Sequence, residues 1–242
     1  MNALELHGLE KHYPDFTLGP IDLELPGGTV CGLIGENGAG KSTTIKLILD
    51  MIDGDAGTVK LFGQEGITPL AKADIGVVLG GEGIPTCLTT PQVGKVMAGI
   101  YPNWDAAAYA DYCKRFELPE KKRYADYSTG MKMKQCLAVA LSHHPKLLLL
   151  DEHTAALDPK TADKVLALSD QIGQENNLTT LMITHNMKDA IAHGNRLIMM
   201  DAGRVVVDIS GEDKKKLTVP DLLALFSRAS GSDEANDKML LS

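Results

Sequence analysis

Apolar residues recur along this chain at two different spacings, which predict strands alternating with helices. Three short apolar runs are typical of buried strands: TVCGLIG at 29–35, KLLLLDE at 146–152 and TTLMITH at 179–185. In the segment after the first run, Ile45, Leu49 and Ile52 lie at helical spacing instead. This alternation predicts an α/β fold built around a parallel sheet.

The middle of the chain has a different, helical pattern. The segments NWDAAAYADYCKRF and STGMKMKQCLAVALSHH are both typical of helices, and Asn103 and Ser128 are their candidate N-caps. We expect Pro145 to end the second helix. The region predicts a helical subdomain inserted into the α/β core.

The C-terminal part predicts a hairpin and a final helix. RLIMMDAGRVVVDI is typical of two strands joined around Asp201–Gly203, and Thr218 is expected to cap the last helix. We therefore interpret the chain as one domain, 1–242, with its core at about 1–75 and 137–210, a helical subdomain at about 76–136, and a C-terminal helix and tail at about 211–242.

Charge and cysteine content exclude several classes of protein. The 242 residues carry a formal net charge of −8 and no basic stripe, so no nucleic-acid partner is expected. The short run Lys214–Lys216 is interpreted as a solvated face. The four cysteines form no C-x-x-C pair, which argues against a zinc or redox site. The N-terminus lacks the pattern of a signal peptide, and no apolar run approaches the roughly 18 residues of a membrane span.

A loop for phosphates is predicted where the first apolar run ends. GENGAGKS matches the pattern G-x-x-x-x-G-K-[ST], between a predicted strand and a predicted helix. The backbone N–H groups of such a loop surround phosphate oxygens, Lys41 reaches the β- and γ-phosphates, and the Ser42 hydroxyl binds Mg²⁺. The predicted ATP-binding residues here are Gly35, Glu36, Asn37, Gly38, Ala39, Gly40, Lys41, Ser42 and Thr43.

Two carboxylates at the end of the second apolar run complete a predicted hydrolytic site. Asp151 is expected to hold Mg²⁺, and Glu152 to orient or deprotonate the water that attacks the γ-phosphate. They follow the phosphate loop by about 110 residues.

With these motifs in this order, the chain resembles the nucleotide-binding subunits of ABC transporters over nearly its full length. The resemblance implies a P-loop NTPase (RecA-like) parallel-sheet core with an inserted helical subdomain and an N-terminal antiparallel β part. YSTGMKMK resembles the family signature, so Ser128, Thr129, Gly130 and Met131 would face the γ-phosphate held by the opposite subunit. The resemblance further implies a D-loop at Asp158, a switch histidine at His185 and an adenine-stacking ring at Tyr13.

The chain departs from the family pattern in two places. Gly80 aligns with the position of the family's Q-loop glutamine, so Glu82 is a candidate substitute ligand for Mg²⁺. Thr129 stands where the signature has glycine. The two parts of the chain also resemble different branches: roughly the first 145 residues are similar to exporters of drugs or peptides, and the remainder to an amino-acid uptake ATPase.

The resemblance implies an ATPase that uses ATP and Mg²⁺ and works at the cytoplasmic face of a membrane. Its partners would be a separate transmembrane permease and a second copy of itself or a paralogous ATPase, which together sandwich two Mg-ATP. Two alternatives stay open from the residues alone: an ATP-gated interaction module with weak hydrolysis, and a soluble ABC ATPase without a transport role.

Overall fold

The structure, a computed structural model, describes residues 1–80, 83–151 and 178–230. The strands in these residues are β1 (Asn2–Tyr13), β2 (Phe16–Pro26), β3 (Val30–Gly35), β4 (Ala56–Leu61), β5 (Gln64–Glu65), β6 (Ile75–Leu79), β7 (Leu147–Asp151), β8 (Thr179–Ile183), β9 (Arg196–Asp201) and β10 (Arg204–Ser210).

Several of the helices begin at a residue whose side chain caps them. They are α1 (Lys41–Ile48), α2 (Pro69–Ala73), α3 (Thr90–Ala98), α4 (Ala106–Arg115), α5 (Thr129–Leu141), α6 (Met187–Ala192), α7 (Gly211–Lys216) and α8 (Val219–Ser230), with a short 3₁₀ turn at Tyr124–Asp126. None of these helices is long and apolar enough to cross a membrane.

Two sheets form the frame, and they confirm the predicted fold class. A six-stranded sheet has the order β10-β9-β3-β8-β7-β6, in which every neighbouring pair is parallel except β10 with β9. A four-stranded antiparallel sheet has the order β2-β1-β4-β5. Because β3, β7 and β8 run in one direction, their carboxyl ends meet at one edge of the larger sheet.

Three apolar clusters hold the layers together. One lies between the two sheets around α1, and includes Leu33, Ile45 and Leu181. A second joins α3, α4 and α5 to β7 and contains Phe116 and Leu150. The third packs α6 and α8 on the far side of the six-stranded sheet. The core strands are thus covered on both faces, as their apolar runs predict.

Two predicted helix ends are wrong. Asn103 does not cap α4; Asp105 does, since its Oδ1 accepts hydrogen bonds from Ala107 N (2.8 Å) and Ala108 N (2.9 Å). Asn103 instead donates its Nδ2 to the carbonyl of His143 (2.5 Å), which ties the loop before α4 to the segment before β7. Likewise, α5 ends at Leu141, before Pro145 is reached.

Other predicted boundaries shift by a few residues. The first helix ends at Ile48, so Ile52 lies beyond it. Strand β6 belongs to the six-stranded sheet although the predicted helical region began at residue 76, so the helical layer starts after Leu79. The hairpin around Asp201–Gly203 and the cap at Thr218 are confirmed; Asp221 N donates to Thr218 Oγ1 (3.4 Å).

Candidate functional site

The phosphate loop lies between β3 and α1, as predicted. Gly40 is the N-cap of α1 with φ 102°, a conformation that side chains rarely adopt. A Cβ at this position would lie 2.4 Å from Leu18 Cδ1. Glu36, Asn37 and Gly38 are exposed, so the tip of the loop is open to a ligand while its base is packed.

Lys41 points into the loop that precedes it. The residue is 4% exposed, and its Nζ donates to the carbonyls of Gly35 (2.8 Å) and Glu36 (2.9 Å). These bonds offset the cost of burying an ammonium group, and they fix its charge at the N-terminus of α1. A phosphate in the loop would therefore meet a lysine and the positive end of a helix together.

Ser42 and Asp151 are brought together although they are 109 positions apart in sequence. The Ser42 hydroxyl donates to Asp151 Oδ1 over 3.2 Å, from the first turn of α1 to the end of β7. A hydroxyl and a carboxylate at this distance form a hard-oxygen pair of the kind that Mg²⁺ prefers. The residues predicted to hold the metal thus fit it.

His185 lies at the same edge of the sheet, just after β8. It is half-buried in a turn in which Asn186 N donates to Thr184 Oγ1 (3.1 Å). Asn186 then caps α6, since its Oδ1 accepts from Lys188 N (2.9 Å). The imidazole of His185 therefore lies on a hydrogen-bonded turn between β8 and α6.

Tyr13 is the last residue of β1, and it has an aromatic neighbour that the sequence analysis missed. Tyr13 is 42% exposed, and its ring centroid is 6.4 Å from that of Phe16. A Cβ built on Gly40 would lie 3.2 Å from the Phe16 ring. The tip of the β1–β2 hairpin thus places the Phe16 ring against the loop and the Tyr13 ring next to Phe16. The signal for Phe16 was its position three residues after Tyr13 across a tight turn.

The signature segment is arranged as a helix start on the helical layer. Ser128 is the N-cap of α5, and its Oγ accepts from Met131 N (3.3 Å), as predicted. Thr129 is the first residue of the helix and has no positive φ, so glycine is not required there. Ser128 accepts hydrogen bonds from its own helix. These hydrogen bonds do not connect the signature segment to the phosphate loop of the same chain.

Three predicted site residues, Glu82, Glu152 and Asp158, lie outside the described residues. Gly80, close to the first of them, is described: it follows β6 with φ 60°, is exposed, and has room for a Cβ. Leu79 is paired with Asp151 in the sheet, so Gly80 follows the sheet beside the carboxylate that is predicted to hold Mg²⁺.

Cys31 on β3 belongs to the core rather than to the site. It is fully buried, and burial raises the pKa of its thiol to about 12. The thiol therefore stays protonated at neutral pH and behaves as a small apolar side chain. Among the residues that the structure describes, His, Cys, Asp and Glu form no cluster of three or more able to hold a metal ion.

Comparisons with known proteins agree with these motifs. A family model described as ABC transporter matches residues 18–155. The chain is 32% identical over 252 residues to a tyrosine transport ATP-binding protein of Clostridioides difficile, covering 93% of this chain and 99% of that protein. One relative therefore aligns with both the exporter-like and the uptake-like parts of the chain.

A second relative supports the same assignment, and a solved structure has a similar fold. The chain is 35% identical over 210 residues to the methionine import ATP-binding protein MetN 1 of Rhodopseudomonas palustris, covering 79% of this chain and 54% of that protein. Its fold is similar to the ADP conformation of MJ1267, an ATP-binding cassette of an ABC transporter. That match has a TM-score of 0.79 and 20% identity, and covers 93% of this chain and 98% of the other.

Proposed function

This chain belongs to the ABC transporter family and is one of its ATP-binding ATPase subunits, and from that premise we propose that two copies close on two Mg-ATP and drive a separate membrane-spanning permease. The observation that carries the proposal is the bond between Ser42 and Asp151 at the edge where Lys41 and His185 also lie. Four polar groups predicted from three separate motifs lie at one edge of one sheet.

Each residue has a task in hydrolysis. Lys41 binds the β- and γ-phosphates, and the backbone N–H groups of 35–42 surround the remaining phosphate oxygens. Ser42 and Asp151 hold Mg²⁺, which supplies positive charge to the phosphate oxygens when bound. Glu152 orients the attacking water and accepts its proton, and His185 donates to the γ-phosphate. Tyr13 and Phe16 stack on the adenine.

A second copy completes the site. Ser128, Thr129, Gly130 and Met131 begin α5 on the helical layer, and the bonds of Ser128 stay within its own helix. A helix start with a serine cap is a ready anion site. We place this site of one copy on the γ-phosphate bound by the other, and the resemblance implies a D-loop role for Asp158. The same pairing applies in both directions, so the dimer interface is isologous.

The names of the relatives support a proposal for the direction and class of transport. One is named as an import ATP-binding protein for methionine and another as a tyrosine transport ATP-binding protein. We propose that this chain powers uptake of a small organic solute of the amino-acid class. It would act at the cytoplasmic face of the membrane by contact with the permease, and it needs no nucleic acid.

ATP hydrolysis by the purified chain tests the enzymatic part. We expect Mg-dependent phosphate release, and loss of most of it in Lys41→Ala. The control is Lys46→Ala, because Lys46 lies on the same helix but is exposed. Activity in Lys41→Ala equal to that of wild type would contradict the assigned site. Uptake is tested by reconstitution with a candidate permease and a radiolabelled amino acid.

One observation favours a second candidate, a nucleotide-gated module with weak hydrolysis. Gly80 brings no side chain to the position where the family has glutamine. The two candidates differ in turnover. A chain that dimerises with ATP but releases phosphate at less than about one per minute would favour the gated module, because typical enzyme turnover is on the order of 1–10³ per second.

A further inference from the structure

Lys214 is a buried lysine whose environment differs from that of the two lysines after it. It lies in α7 and is 2% exposed. Lys215 and Lys216 are exposed, and Lys215 forms an ion pair with Glu212 (2.7 Å). The prediction that Lys214–Lys216 is a solvated face is therefore wrong for its first member.

The ammonium group of Lys214 binds the end of α6. Its Nζ donates to the carbonyls of Ile191 (2.8 Å), His193 (2.7 Å) and Gly194 (3.0 Å). The last carbonyls of a helix lack donors within the helix and carry its negative end, so a cation there is stabilising. A buried ammonium group also requires partners, and these three carbonyls supply them.

The other end of α6 carries His185. The helix has only six residues, and its N-cap, Asn186, directly follows His185. At about 1.5 Å per residue the helix is about 9 Å long, so it moves as one short rigid body. A shift at the Lys214 end would therefore reach the turn that holds the imidazole.

The flanks of α6 are also restrained. The helix lies against β3: a Cβ on Gly32 would be 3.6 Å from the Cβ of Ala190. Asn195, just after the helix, donates its N–H to Val30 O (2.9 Å) and accepts from Val30 N at its side-chain oxygen (3.1 Å). With these two contacts and the Lys214 bonds, α6 is fixed at its side and at its C-terminal end.

We propose that Lys214 is a positioning residue for hydrolysis, which holds α6 so that His185 is aimed at the γ-phosphate. The proposal rests on the role given to His185 above. It makes the C-terminal segment around α7 part of the catalytic apparatus, although α7 lies outside the phosphate-loop edge. A placement error of about 1 Å can cost on the order of 100-fold in rate, so a looser α6 should lower turnover while ATP is still bound by the other groups.

The test compares single and double variants of the full chain by steady-state phosphate release. Lys214→Met keeps the stem and removes the donors; we expect kcat to fall about tenfold, with little change in KM for ATP. Lys215→Met, the exposed neighbour, is the matched control and should behave as wild type. In a His185→Ala background, Lys214→Met should cause no further loss, because its effect acts through the histidine.

A purely structural role would give a different result. In that case Lys214→Met would lower the melting temperature, and the fold-losses in kcat from Lys214→Met and His185→Ala would multiply in the double variant. That result would overturn the proposal. Wild-type kcat in Lys214→Met would overturn it as well. If Lys214→Met does not fold, Lys214→Gln, whose amide can donate to two of the carbonyls, is measured under the same criteria. Failure of the wild type to hydrolyse ATP, or full activity of His185→Ala, would overturn the assigned function and this proposal with it.

Discussion

Ser42 and Asp151 share a hydrogen bond of 3.2 Å that joins the start of the first helix to the end of an interior strand. Ser42 belongs to the phosphate loop that follows β3, and Asp151 ends β7, which lies two strands from β3 in the sheet. Their oxygens are therefore held in place before any ligand arrives, which reduces the cost of ordering them on binding.

Replacing Asp151 by asparagine should raise the Mg²⁺ concentration needed for half-maximal ATPase activity. The amide would keep the shape of the side chain and accept the Ser42 hydrogen bond, but it has no charge to bind a divalent ion. We expect the midpoint to rise by at least about tenfold, a loss of about 1.4 kcal/mol in binding. Asp53→Asn, at an exposed position, is the control. An unchanged midpoint in Asp151→Asn would remove Asp151 from the metal site.

Removing Glu82 should shift the same midpoint in the same direction but by less. We expect Glu82→Ala to raise it because the residue is the candidate for the task of the missing glutamine near Gly80, and a carboxylate oxygen is a suitable Mg²⁺ ligand. The shift should be smaller than that of Asp151→Asn, since Asp151 ends a packed strand. If the magnesium titration of Glu82→Ala gives the same midpoint as wild type, Glu82 is not a Mg²⁺ ligand.

Two of the three glycines in the phosphate loop, Gly38 and Gly40, should differ in their tolerance of alanine. Both have positive φ, 84° at Gly38 and 102° at Gly40, but only Gly40 would bring its Cβ against Leu18 and Phe16. Gly38→Ala is the matched control for backbone strain, which should lower the free energy of unfolding by about 1 kcal/mol. Gly40→Ala adds overpacking of about 1–3 kcal/mol. Denaturant unfolding measures both, and equal losses would contradict the proposed contact.

Glu152→Gln should bind ATP and accumulate as a closed dimer. The amide keeps the shape of the side chain but cannot accept the proton of the attacking water. We expect turnover to fall by at least about 100-fold, with an ATP-dependent shift to the dimer in size-exclusion chromatography. Glu65→Gln, at an exposed position on β5, is the control. A monomeric Glu152→Gln that retains turnover would contradict the assigned role.

His143 should make the folded state less stable below neutral pH. Its ring is buried and stacks on Tyr101 with centroids 4.2 Å apart, and Nδ1 donates to Ala73 O (3.0 Å). Its Nε2 has no hydrogen-bond partner in the described part of the chain. Burial lowers the pKa of this histidine below its usual 6.5.

The sign of the pH effect follows from that lowered pKa. The unfolded chain binds a proton at His143 more readily than the folded chain, so stability is complete above pH 6.5 and is lost as the pH falls through the range between 6.5 and the folded pKa. Urea unfolding from about pH 5 to 8 should show this slope, and it should shrink in His143→Asn, whose amide can reproduce the Nδ1 bond. His7→Gln, on a half-exposed histidine, should keep the slope. An unchanged slope in His143→Asn would show that the pH dependence of stability comes from other titratable groups.

The sequence predicted the features that depend on local pattern and motif. The alternation of apolar runs and helical spacings was sufficient for the parallel sheet, and the loop pattern for the positions of Lys41 and Ser42. Ser128 was correctly identified as a cap, because capping depends on residues within one turn.

Features that depend on distant partners were not predictable in this way. Asn103 is a good capping residue, but its side chain donates to the carbonyl of His143 instead, and Asp105 caps α4. Lys214 looks like its neighbours in sequence, and only the approach of the end of α6 makes it a buried residue. Phe16 became part of the site because the hairpin tip folds onto Gly40.

The close approach of Gly32 to Ala190 has a consequence for how this protein can vary over evolution. A methyl group at position 32 would just touch the methyl of Ala190, at 3.6 Å, so the space between strand and helix admits one small side chain and little more. A residue larger than alanine at position 32 would require glycine at position 190 or a displaced helix. Substitutions at positions 32 and 190 should therefore occur as correlated pairs among relatives, and the correlation should be strongest where the histidine at position 185 is retained.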